Sequence, residues 1–129
     1  MDRIVYKIVS SAELDRMRED GAFRGSPADI GDGYIHLSCG SQLAPTLEKH
    51  FSGVEGLMLV AVDLARLGET VRWEPARGGQ LFPHIYGPLP IGAVVSVAFV
   101  ERKAGGTVWL PAWVVVAKSG VAKSGVDIC

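Results

Sequence analysis

The first strongly patterned segment runs from Ile4 to Val9, where β-branched residues predict a strand. Ser10, with Glu13 three positions later, has the spacing of a capping box, so a helix should start there with Leu14 and Met17 facing inward. Gly21 suits the left-handed residue that closes it. Phe23 to Gly33 reads as loop. From Tyr34 to Ser38 the polarity alternates, placing Tyr34, His36 and Ser38 on one face of a strand and Ile35 and Leu37 on the other. Leu43, Leu47 and Phe51 form one buried stripe, which predicts a second helix from about Ser41 to Phe51, with Pro45 in its first turn or delaying its start. The continuous apolar run Leu57 to Val62 predicts a strand covered on both faces, at the centre of the sheet. Thr70 to Trp73 predicts a further short strand. Ala93 to Glu101 and Trp109 to Val116 predict the last two, separated by a turn at Gly105 and Gly106. The pattern as a whole is α+β, with two helices in the N-terminal half and a mostly antiparallel sheet.

Between the predicted strands lies EPARGGQLFPHIYGPLP, which holds four prolines and three glycines. That content argues against regular structure, and its aromatic residues argue against a mobile linker, so an ordered loop is expected. The 129 residues suit one domain with its own core, placed at 1–117. The sequence VAKSG occurs twice near the end and marks residues 118–129 as a flexible tail.

Charge changes the picture by what it removes. A formal net charge of -1 offers no field of one sign to attract bulk nucleic acid or an anionic membrane. The apolar runs fall short of the roughly 20 residues that span a bilayer. Cys39 and Cys129 are too few for a disulfide framework and fit no zinc spacing, and no leader pattern opens the chain, so a soluble cytoplasmic protein is expected.

Several residues could carry chemistry. His36, His50 and His84 lie far apart with no metal-binding motif beside them, so no metal site is expected. His36 and Ser38, on one strand face, could bind a polar ligand or simply face solvent. Trp73, Glu74, Arg77, Gly78 and Gly79 bring a stacking surface, a carboxylate, a forked cation and two flexible backbones into one short stretch. Arg77 could hold phosphate while the glycines let N–H groups approach it, and Glu74 could bind a ribose hydroxyl or act as a base. The alternative is equally concrete: Trp73 in the core, Glu74 paired with Arg77, and glycines serving a turn. His84 and Tyr86 lie in the proline-stiffened part of the loop, which suits a preorganised site.

The successive pieces YKI, GSPADIGDGYIHLS, TLEKHFSG, LVAVDL, WEPARGG and LFPHIYGPLP, spread from about Ile4 to Val100, resemble in order the pattern of the family catalogued as domain of unknown function 952. Members of that family look like compact versions of the ADP-ribosyltransferase fold, so the resemblance implies a split antiparallel sheet around an NAD-sized cleft. Val5 to Ser10 and Tyr34 to Ser38 are also similar to the opening of RNA 2'-phosphotransferases. Those enzymes have a YHGT-like first strand and a VHLS-like second strand, and they transfer a phosphate to NAD. Lys7 stands where their first-strand histidine would be. The resemblance implies an enzyme that binds NAD, or an ADP-ribose-like nucleotide, for ADP-ribosyl or phosphate transfer. His36 and Glu74 would then be catalytic, with Glu74 stabilising charge at the ribose carbon. Lys7, Ser38, Trp73, Arg77, Gly78, Gly79, His84 and Tyr86 would contact the ligand. Two alternatives stay open: a non-catalytic module that recognises a metabolite or a protein, which Lys7 favours, and a metal-free hydrolase using His36 or His84 with Glu74. The oligomeric state is unknown at this level.

Overall fold

The computed structural model describes residues 3–102, 108–111 and 113–114. Strand β1 (Ile4–Ser10) runs directly into helix α1 (Ser11–Asp20). The Ser10 hydroxyl accepts the Glu13 N–H at 3.0 Å and the Glu13 carboxylate accepts the Ser10 N–H at 2.8 Å, so two otherwise orphaned donors are satisfied. Gly21 closes the helix at φ 80°, a conformation that side chains on Cβ disfavour. Strand β2 (Ala22–Phe23) follows, then helix α2 (Pro27–Asp32), strand β3 (Ile35–His36) and helix α3 (Gly40–His50).

Strands β4 (Leu57–Asp63), β5 (Val71–Pro75), β6 (Leu81–Ile85), β7 (Leu89–Pro90) and β8 (Val94–Phe99) complete the main architecture. They form one antiparallel sheet in the order β1-β4-β8, another in the order β3-β6-β5, and a small β2-β7 pair. The two larger sheets meet at an isolated bridge, where Tyr6 and Ser38 exchange both backbone hydrogen bonds at 2.8 Å. As expected, β4 is central in its sheet and buried throughout. Met58, Val60 and Val62 join one core with Val5, Val9, Leu14, Met17, Ile35, Leu37 and Ile85, while Leu57, Leu59 and Ala61 join Leu43 and Leu47 of α3 on the opposite face. Alternation along each strand thus feeds two apolar layers from one sheet.

Three expectations change. The segment 23–33 is not all loop, because Pro27 opens α2 and Ser26 and Asp29 form a second capping box ahead of Gly33 at φ 87°. The domain therefore has three α-helices in its first half rather than two. Residues 81–85 form a strand in spite of Pro83, whose carbonyl accepts the Leu37 N–H at 3.0 Å. Facing Trp73 of β5, the proline occupies a position where that neighbour asks for no N–H, and its fixed φ suits extended backbone. The strand expected over Trp109 to Val116 is strand only at its start: Val108–Trp109 pairs with Glu101–Arg102, and residues 110, 111, 113 and 114 are not strand; the predicted glycine turn and the tail lie outside the described residues.

Candidate functional site

A cleft of about 660 Å³ opens where the two sheets diverge. Its wall includes Lys7 of β1, Asp29 and Asp32 of α2, His36 of β3, His84 of β6, and Ser38 in the segment that follows β3. Ile35 and Leu37 turn to the core, so the alternation read from the sequence delivers His36 and Ser38 to the cleft.

Asp29 ties this wall together and is only 2% exposed. One carboxylate oxygen accepts from the His36 ring Nδ1 at 2.6 Å and from the His36 backbone N–H at 3.1 Å. The other accepts from Ser26 N–H at 2.9 Å, and Lys7 Nζ stands 3.0 Å from it. Lys7 occupies an inward position between Val5 and Val9, where an ammonium is costly to bury without a counter-charge. Burial pushes the Lys7 ammonium down, against the opposing pull of Asp29. Burial alone would raise the Asp29 carboxyl, yet the His36 ring, the Lys7 ammonium and the backbone N–H groups hold it well below the usual carboxylate range. On its other side, His36 Nε2 lies 2.9 Å from Asp32. A carboxylate thus stands at each ring nitrogen of His36.

A second carboxylate–histidine pair stands across an aromatic ring from the first. Glu74 Oε1 lies 2.8 Å from His84 Nδ1 and accepts the Tyr86 hydroxyl at 2.7 Å. These two hydrogen bonds hold the Glu74 carboxyl below its ordinary value, and the Glu74 contact in turn raises the Tyr86 hydroxyl. Burial pushes the His84 imidazole down more than Glu74 pulls it up. Tyr34 stacks on His84 at a centroid distance of 4.1 Å and tilts against His36 at 4.8 Å, and the two imidazoles meet edge to face at 5.5 Å.

Of the residues singled out in the sequence, Lys7, His36, Ser38 and His84 share the cleft wall. Glu74 and Tyr86 stand behind His84 rather than on that wall. Trp73 packs against the apolar core. Gly78 and Gly79 take positive φ in the turn between β5 and β6, where the Gly79 N–H is spent on the Ala76 carbonyl at 3.0 Å. Ala76 reaches the cleft edge, while the Arg77 side chain lies outside the described residues. Tyr34 shares the strand face expected for His36 and Ser38, whereas Asp29 and Asp32 are not among the residues singled out in the sequence. The signal for Asp29 was present as Ser26-Pro27-Ala28-Asp29, a serine and a carboxylate at capping-box spacing with proline at the first helical position. Among the described residues no group of three or more histidine, cysteine or acidic side chains could hold a metal ion.

The model of a family described as a protein of unknown function (DUF952) matches residues 8–97. The chain belongs to the DUF952 family. The crystal structure of protein CC0527 from Caulobacter crescentus is similar at 43% identity and a TM-score of 0.78, covering 82% of this chain and 93% of that one. Its solution NMR structure, at 43% identity and a TM-score of 0.73, covers 82% and 91%. A comparison with curated proteins finds no match. Among the described residues, no helix of this DUF952 protein is long and apolar enough to cross a membrane.

Proposed function

We propose that the cleft binds a nucleotide of the NAD or ADP-ribose kind, with a ribosyl end on the wall formed by His36, Ser38 and His84. The observation that carries this reading is the convergence of Lys7, His36, Ser38 and His84, from three strands and a connecting segment, on one cavity of about 660 Å³. That volume lies within the range of small-molecule sites. The resemblance to a compact ADP-ribosyltransferase fold adds to it, and so does the split between the sheets. The pyrophosphate would lie toward the turn at residues 76–79.

Binding without turnover is the second reading, and a specific observation favours it. Lys7 and Asp29 neutralise each other, and Glu74 is held by His84 and Tyr86 away from the wall. A transferase needs a charge free to act where the ribose carbon becomes positive. Thermal melting in the presence of NAD and of ADP-ribose tests binding. A ligand at about a hundred times its Kd stabilises the fold by about 2.7 kcal/mol, a readable rise in Tm. Release of nicotinamide from NAD then separates enzyme from binder, and no rise in Tm at millimolar ligand (about a thousandfold above a micromolar Kd) would sink the nucleotide reading.

A further inference from the structure

We infer that His84 Nε2 and the Ser38 hydroxyl are the recognition atoms of the cleft, and that they take the hydroxylated part of a ligand rather than its anionic part. The inference rests on the cleft being a ligand site and adds which chemical group meets which atom.

His84 is 2% exposed and Ser38 7% exposed, and both line the cleft. The backbone of Ser38 is used up by Tyr6, yet its side-chain hydroxyl has no partner among the described residues. The His84 ring is held on one side alone, by Glu74 at Nδ1, and Nε2 likewise has no partner among the described residues. Buried polar atoms are nearly always satisfied, so two unsatisfied ones on one cavity wall mark where a ligand supplies the missing hydrogen bonds.

Their roles follow from the protons. Glu74 Oε1 already accepts the Tyr86 hydroxyl, so the group facing His84 is an acceptor and Nδ1 carries the hydrogen. In the neutral imidazole the lone pair is then on Nε2, the arrangement in which a carboxylate fixes the tautomer of a histidine. Burial favours that neutral form. The other charged or titratable groups around the ring are His36, Tyr34, Asp32, Tyr86 and, opposite it in register, Arg72. A lone-pair acceptor has no hydrogen to give a phosphate or carboxylate oxygen, so it is the wrong partner for either. It is the right one for an O–H donor, and Ser38 can donate to or accept from a neighbouring hydroxyl. A polyol such as a ribosyl group meets both requirements.

Histidine ring 15N NMR of the whole chain tests the tautomer without any ligand: a proton on Nδ1 of His84 is expected, and a proton on Nε2 overturns the inference. With ADP-ribose as probe, the His84 Nε2 resonance should move, whereas inorganic pyrophosphate should leave it in place. His84→Phe keeps a ring against Tyr34, and it and Ser38→Ala should each weaken ADP-ribose by about tenfold. ADP-ribose binding that leaves Nε2 unmoved, or that survives both substitutions at full strength, overturns the inference while the nucleotide reading stands. If ADP-ribose fails but free ribose at high concentration moves Nε2, the nucleotide reading falls and this inference stands. If neither sugar-bearing probe moves Nε2, the inference is wrong.

Discussion

Two carboxylate–histidine pairs flank Tyr34, and they are built to opposite ends. Around Asp29 the carboxylate is saturated by a ring, an ammonium and two backbone N–H groups, and both nitrogens of His36 are occupied. Around Glu74 the carboxylate is more exposed, while the imidazole it holds is buried and has one nitrogen without a partner among the described residues. The first pair joins β1, α2 and β3 and so shapes the wall. The second leaves an atom on that wall for something else to bind. A closed polar network stabilises and an open one recognises, although the residue types are the same.

The largest effect expected from breaking this contrast is that of Asp29→Ala, which strands a buried ammonium and two N–H donors. It should lower stability by about 3–5 kcal/mol in urea unfolding, and a loss near zero would show that the node is not structural. The same carboxylate sets an acid limb. Its folded-state pKa is depressed, so its contribution is complete above the unfolded value and is lost as pH falls toward the folded one. Wild-type stability should therefore fall below about pH 4, and Asp29→Asn should flatten that limb.

Lys7→Met should cost less, about 1–3 kcal/mol, because Asp29 keeps its His36 and backbone partners and a buried ammonium is removed. A cost equal to that of Asp29→Ala would mean that the ammonium, not the carboxylate, holds the node. Smallest is the effect of the second pair on stability. The His84 pKa is lowered in the folded state, so the unfolded chain takes up the proton first and stability falls as pH drops below the ordinary 6.5. In His84→Phe that slope should vanish from pH-dependent melting, with little change above neutrality.

Much of the apolar architecture was legible in the chain because it rests on local grammar. The Ser10–Glu13 box, the Leu43–Leu47 stripe and the run at β4 each state their structure within a few residues. The site was half legible. Alternation placed His36 and Ser38 on one face, but it could not say that Lys7, inward between two valines, finds its counter-ion 22 residues later. Proline content misled at β6, since it measures what a segment donates and not what it can accept. The histidine of that strand sits opposite His36 only because the strand forms.

Pro83 itself has a structural consequence beyond its own strand. Leu37 lies opposite it by continuation of the β3–β6 register, a pair that should exchange two hydrogen bonds. Leu37 donates to the Pro83 carbonyl, but the proline nitrogen has no hydrogen to return. The ladder stops at half a rung, and the next residue, Ser38, turns its backbone to Tyr6 of the other sheet. The β3–β6 ladder thus ends where the chain passes from one sheet to the other, beside the cleft lined by Lys7, Ser38 and His84.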